Sequence, residues 1–250
     1  MLDDWFRTIE LGISLEEFNS LPRHAAYKYE YLGGSAWLTP DPRYGRALLD
    51  LASIAPPAAL QDGSASGSLA NFTRRPFSDA DWGRLAGLMA AAFEQVPPFC
   101  ALDSQTAVAA ARDCLRHTRE GGDGPLILPA CFVAEGPHAW DNPAGAILVT
   151  LVPPGDLTEW HSLRWQQPPP PDAIERRLGQ PHLTWIFSSP RIAGHGLGTE
   201  LLRLAAANLR SLGFTELAST FLIGNVRSMT WHWRNGFRLV QHPASLRKHP

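Results

Sequence analysis

The chain has 250 residues, of which 18% are charged and 44% hydrophobic, with 21 glycines, 22 prolines and a net charge of −2. That length buries a full core without disulfide staples, the apolar content excludes a disordered chain, and Gly plus Pro exceed the ~12% of an average domain, so many loops are expected. The near-neutral charge lacks the basic footprint of a nucleic-acid binder, and the longest apolar run, Ala144 to Val152, falls far short of the ~20 residues of a membrane span.

In chain order, Ser14 to Glu17 form a capping box that opens a short helix ended near Pro22. Tyr27 to Tyr31 and Ser35 to Thr39 flank Gly33-Gly34 and read as a hairpin, and Tyr44 to Ile54 reads as a second helix. Residues 1–54 are therefore expected to be a small N-terminal unit, and 55–70, rich in Pro, Gly and Ser, a linker. From 71 to 250 strands and helices alternate. A strand at Phe72 to Pro76 precedes a helix capped by Ser78 with Trp82, Leu85, Ala86, Met89 and Phe93 at helical period. A helix from Ser104 to Thr118 follows, then paired strands Ala130 to Ala134 and Ala144 to Val152. A proline-dense insertion around Gln166 to Pro171 reads as polyproline. A strand at His182 to Ser188, a helix at Thr199 to Leu212 closed by Gly213, and strands at Glu216 to Leu222 and Phe237 to Gln241 complete a mixed, mostly antiparallel α/β (α+β) sheet flanked by helices.

Cys100, Cys114 and Cys131 have neither an even count nor metal-ligand spacing. Together with Asp3 and Asp4 where a secretory signal would be basic, they suggest a reducing cytoplasm and no metal. Lys28 and Lys248 are the only lysines beside 20 arginines, a bias that fits a GC-rich, bacterial genome.

The stretch Trp185 to Leu202 carries the chemistry. A strand runs into Gly194, Gly196 and Gly198 and then directly into an amphipathic helix, so amides without intrahelical partners point out of the turn together. Glycine lets a phosphate approach the backbone, and the helix dipole adds attraction. A P-loop needs Gly-Lys-Ser/Thr, which is missing, and a dinucleotide fingerprint needs G-x-G-x-x-G near the first strand, whereas this loop is late and reads G-x-G-x-G. A turn of purely structural use and a site for ATP stay open at this point.

Downstream, Asn225 to Phe237 follows the next strand. Pro190, Gly196, Gly198, Leu201, Leu202, Gly213, Asn225, Gly236 and Phe237 fall in the order and spacing of the acyl-CoA-binding core of the GCN5-related N-acetyltransferase superfamily, which residues 71–245 resemble. The resemblance implies the acyl-CoA N-acyltransferase fold, acetyl-CoA as co-substrate, and transfer of its acetyl group to a primary amine by direct attack. It further implies that the pantetheine arm lies between the strands His182 to Ser188 and Glu216 to Leu222. Backbone groups of Ile186 and Ser188 would then pair with the arm, and an amide near Phe187 would polarise the thioester. The pyrophosphate would meet Arg191, Gly194, His195, Gly196, Leu197, Gly198 and Thr199, with Asn225 nearby.

Two positions depart from the family. Ala193 stands where Arg or Gln is usual, and Arg191 is the candidate substitute. His232 stands where a Tyr commonly protonates the departing sulfur. An imidazolium at the ordinary pKa near 6.5 can serve as that acid, with turnover declining as pH rises through neutrality. Against this stands the reading that Trp231, His232 and Trp233 only pack. Base candidates are Glu135, Glu159, His161, His182 and Glu216, and Trp160, His161, Trp165 and Gln166 could line the acceptor site. The acceptor is a small-molecule or protein amine, with no nucleic-acid or membrane partner. Ser14 to Phe18 with Tyr29 to Gly34 superficially resembles the opening of a restriction-endonuclease-like family, but its downstream catalytic Asp and Glu/Asp-x-Lys elements have no match, so a structural or homodimerising appendage is expected. A non-catalytic acyl-CoA sensor of the same fold is the alternative function.

Overall fold

The computed structural model describes residues 8–23, 27–40, 44–57, 69, 71–138, 143–155 and 164–240. Strand β1 (Ile9–Leu11), helix α1 (Leu15–Ser20), β2 (Tyr27–Leu32) and β3 (Ser35–Pro40) come first, the strands forming a small antiparallel sheet in the order β1-β3-β2. The capping box forms as expected: Ser14 Oγ accepts the Glu17 amide at 3.2 Å and the Glu17 carboxylate accepts the Ser14 amide at 2.8 Å. Gly33 and Gly34 have φ of 62° and 85°, the pair of positive values a two-residue hairpin demands.

The next segment differs from expectation. Tyr44 to Asp50 is not helical but forms strand β4 (Tyr44–Asp50), followed by a single 3₁₀ turn at Leu51–Ser53. Ala-Leu-Leu favours helix locally, yet the burial alternates with period two, Gly45, Ala47 and Leu49 pointing inward. Strand β4 pairs antiparallel with β9 (Glu216–Leu222) from Tyr44–Leu222 to Asp50–Glu216, and its other edge takes β10 (Arg238–Leu239). A Cβ on Gly45 would lie 2.7 Å from the Phe221 ring, so glycine is what lets that ring cross the strand. The main sheet therefore crosses the boundary expected at residue 54.

The remaining elements are β5 (Thr73–Pro76), α2 (Trp82–Ala92), α3 (Ser104–Arg119), β6 (Phe132–Glu135), β7 (Gly145–Val152), β8 (Gln180–Ser188), α4 (Leu197–Ser211) and α5 (Val226–Arg234). The seven-stranded sheet runs β10-β4-β9-β8-β7-β6-β5. Every neighbouring pair is antiparallel except β8–β9. Both faces are covered. Leu201, Leu202 and Leu209 of α4 pack on Ile147, Val149, Leu151 and Leu49, while Leu85, Met89 and Leu115 of α2 and α3 pack on Val133, Leu148 and Phe187. All of β7 is accordingly buried, as a central strand between two helical layers must be.

Of the proline-dense insertion, 156–163 lie outside the described residues, among them Glu159, Trp160 and His161; residues 171–177 form turns. Most of the expected linker, 58–68 and 70, lies outside them too, as do 241–250. No helix among the described residues is long and apolar enough to cross a membrane.

Candidate functional site

Strand β8 treats its two edges differently. Toward β7 it is paired from Gln180–Val152 to Ser188–Gly145, whereas toward β9 the ladder holds only at His182–Ala218 and Leu183–Ser219. The register shifts at Leu148/Val149 because Thr184 is an extra residue in β8, a bulge that bends the strand where the parallel pairing stops. Beyond Leu183 the two parallel strands splay.

The open edge carries backbone groups of known identity. Ser189 donates its amide to Ala144 O at 2.8 Å, one step beyond the Gly145–Ser188 pair. That parity makes Gly145–Ser188 and Ile147–Ile186 non-hydrogen-bonded pairs, so the N–H and C=O of Ile186 and Ser188 face away from β7, into the splay. Phe187 turns its backbone to β7 and its ring, 6% exposed, into the core beside Phe93.

A cavity of about 250 Å³ threads this gap. On the α2/α3 face it is walled by His182, Thr184 and Thr220 and by the α2–α3 loop at Val96 to Phe99, and on the α4/α5 face by Ser219, Asn225, Ser228 and His232. Tyr44 of β4 also lines it, as do Asp123 and Arg164.

At the strand-to-helix turn, Ser188 leads through a 3₁₀ turn at Pro190–Ile192 into Gly194 (φ 85°) and Gly196 (φ 93°), the left-handed N-cap of α4. Glycine is required at these two positions because a side chain there strains the backbone. Among the described residues no side chain caps the helix, and its ladder begins with Glu200 N donating to Gly196 O, which leaves the amides of Leu197, Gly198 and Thr199 ahead of it. The Leu197 side chain is buried in the core, so only its backbone serves the turn. Arg191 and His195 are exposed beside it. Gly198 lies against α5: a Cβ there would be 3.2 Å from Trp231 Nε1. Asn225 caps α5, its Oδ1 accepting the Ser228 amide at 3.1 Å.

His232 is 5% exposed, while Trp233 beside it is 78% exposed and Trp231 packs at Gly198, so the three adjacent rings have three different environments. The His232 Nε2 lies 2.8 Å from Ser219 Oγ and its Nδ1 2.8 Å from the Ser228 carbonyl. A carbonyl only accepts, so Nδ1 carries the hydrogen and the neutral ring turns a bare Nε2 to the Ser219 hydroxyl. Burial pushes the pKa of His232 down to about 4. The ring is thus neutral at pH 7, and the expected charged acid, with activity falling through neutrality, does not match its environment.

The base candidates separate. Glu135 accepts from Arg75 at 2.9 Å and Arg84 at 3.0 Å, which hold its carboxyl below the usual range in an ion cluster with Asp81. Glu216 is exposed at the start of β9 and does not line the cavity. His182 does line it, between Thr220 Oγ1 at 3.1 Å and Thr184 Oγ1 at 3.3 Å, and burial lowers its pKa to about 4. Trp165 donates its indole N–H to Leu151 O at 2.8 Å and packs on the core, and Gln166 is exposed; neither reaches the cavity. Among the described residues no group of three or more His, Cys, Asp and Glu side chains is placed to hold a metal ion.

Sequence reasoning missed Ser219, Thr184 and Thr220. Ser219 had a signal, a small hydroxyl between Leu217 and Phe221 on one face of a strand. Thr184 had none, because a bulge is fixed by its partner strand.

No protein-family model matches the chain, and no curated protein matches it. Solved structures do. The chain is similar to a GCN5-related N-acetyltransferase from Sphaerobacter thermophilus, with 12% identity and a TM-score of 0.46 over 93% of this chain, which spans only 56% of that one. It is also similar to a GNAT family acetyltransferase from Brucella melitensis in complex with acetyl-CoA, with 18% identity, a TM-score of 0.43 and coverage of 72% and 91%. A third is the PaiA N-acetyltransferase from Thermoplasma acidophilum in complex with coenzyme A, with 12% identity, a TM-score of 0.43 and coverage of 67% and 89%.

Proposed function

We propose that this chain is an acyl-CoA-dependent N-acetyltransferase that moves the acetyl group of acetyl-CoA to a primary amine of a small molecule or a protein. The observation that carries the reading is the cavity running through the splay of the parallel pair β8–β9, bordered by Ile186, whose backbone groups face away from β7. An extended pantetheine arm, itself amide-bearing, fits such an edge as an added strand. The uncapped α4 N-terminus at Gly196 suits the pyrophosphate at the other end of the arm. An edge amide of β8 supplies the donor for the thioester oxygen. The amine enters from the α2–α3 loop side, where His182 and Thr220 offer uncharged hydrogen-bonding groups and Asp123 a carboxylate.

Release of CoA thiol from acetyl-CoA over a panel of amines, with thermal shifts for acetyl-CoA and ATP run in parallel, tests the reading. Stabilisation by acetyl-CoA and amine-dependent thiol release are expected, and stabilisation by ATP alone would refute it. A second reading has its own support. Ala193 in place of a basic or amide side chain and the uncharged His232 favour a sensor that binds acyl-CoA without turnover, which the same assay detects as stabilisation with no thiol released.

A further inference from the structure

We infer that Ser219 is a nucleophile that takes the acyl group from acyl-CoA before any amine does, with His232 as its base and the Ser228 carbonyl as the group that orients the base. The inference rests on reading the cavity as an acyl-CoA site. Three observations carry it. The Ser219 hydroxyl and His232 Nε2 are 2.8 Å apart, and the second ring nitrogen is held at 2.8 Å by a carbonyl that fixes the tautomer with Nε2 bare. A hydroxyl, a base within hydrogen-bond reach and a third group holding the base are the signature of an activated nucleophile. Both side chains line the cavity, and Ser219 is the last β9 residue still paired with β8 before the splay opens. Further along the β8 edge, Ile186 also lines the cavity, and its amide is the candidate oxyanion donor.

The arrangement also resolves the proton problem at sulfur. A neutral His232 has no proton of its own at Nε2 for the leaving sulfur and must first take one from the attacking group, and the Ser219 hydroxyl at 2.8 Å is placed to give it. In the proposed route Ser219 Oγ bonds to the thioester carbonyl carbon and its proton passes to His232 Nε2. The C–S bond then breaks with its electron pair on sulfur, and the imidazolium just formed, a strong acid in this buried setting, returns the proton to give CoA thiol. The product is an acetyl ester of Ser219. An uncharged amine arriving from the His182 side attacks the ester carbon and gives a proton to Nε2, which delivers it to Ser219 Oγ as the C–O bond breaks. No oxidant, reductant or further co-reactant enters.

The test incubates the full chain with acetyl-CoA and no amine, then measures thiol release and the mass of the denatured chain. One acetyl group per chain, mapped to the β9 peptide that contains Ser219, and a thiol burst equal to the chain concentration are expected. Ser219→Ala should show neither, Ser219→Cys should regain the label as a thioester, and His232→Gln should label at least about 100-fold more slowly. Thermal stabilisation by acetyl-CoA, measured on each variant, separates loss of chemistry from loss of fold. Stabilisation without label, a label on another residue, or amine acetylation by Ser219→Ala at the parent rate would overturn the inference. Absence of any stabilisation or turnover in the parent chain would overturn it differently, by removing the acyl-CoA reading beneath it.

Discussion

Two histidines border the splay from opposite faces of the sheet, and burial lowers both to a pKa of about 4, yet their neighbours give them different capacities. His232 is held by a carbonyl on one side and a hydroxyl on the other, so its tautomer and its acceptor nitrogen are fixed. His182 sits between two threonine hydroxyls, each able to donate or accept, and Thr184 in turn meets Thr150 at 2.8 Å. Its tautomer is set by whatever else binds. Desolvation is the main cause of both shifts, joined at His182 by the Arg46 charge and opposed at His232 by the Ser228 carbonyl; the difference follows from partner chemistry, which makes one ring a base aimed at a single atom and the other an adaptable contact for an incoming amine.

The largest expected effect abolishes the contrast. Deleting residues 1–54 removes β4, whose Leu49 is fully buried and which covers the whole far edge of β9. The truncated chain should be insoluble or lack a cooperative thermal transition; a folded, acetyl-CoA-stabilised product would show that the splay needs no N-terminal strand. Next, His232→Gln should lower kcat by about 10²–10⁴-fold with acetyl-CoA KM changed little, as loss of a positioned base does. Its counterpart His182→Ala should instead raise the amine KM several-fold and leave acetylation of the enzyme intact. Equal effects of the two variants in pre-steady-state kinetics would erase the distinction.

The acid dependence sharpens the same comparison. A histidine depressed from about 6.5 unfolded to about 4 folded makes the unfolded state bind more protons between those values. Stability is then fully present above about pH 6.5 and lost as pH falls toward 4, with up to roughly 3 kcal/mol at stake per histidine. Urea midpoints between pH 7.5 and 4.5 should fall in the parent chain and fall less in His182→Gln. Because His232 acts unprotonated, acetylation of the enzyme should rise through about pH 4 and stay level across neutrality, the reverse of the decline expected for a charged acid. Smallest is Gly196→Ala, which keeps the cavity but imposes a side chain at φ 93°. About 1–2 kcal/mol of backbone strain should appear as a modest Tm loss and a raised KM for acetyl-CoA.

Much of the fold was legible because local patterns and tertiary structure agree. The capping box at Ser14, the Gly33-Gly34 hairpin, the period of α2 and α4 and the limits of β9 at Glu216 and Leu222 are all recoverable from spacing. Glycines 194, 196 and 198 announced a turn ahead of a helix; the turn is there, with positive φ at the first two, but Gly198 already belongs to α4. Tyr44 to Asp50 was not legible, because its helical propensity is overruled by pairing with a strand some 170 residues away. Nor was the hydrogen-bonded pair of Ser219 and His232: each residue can be singled out alone, but their contact exists only once β9 and α5 are packed.

The sequence by itself determined which segments are apolar at period two or 3.6 and where glycine must break them, because those constraints act within a few residues. Only the tertiary structure decided where β8 leaves β9, which backbone groups that exposes, and whether His232 carries a charge. Strand departure depends on a bulge defined by the neighbouring strand, and a pKa depends on the water that packing removes.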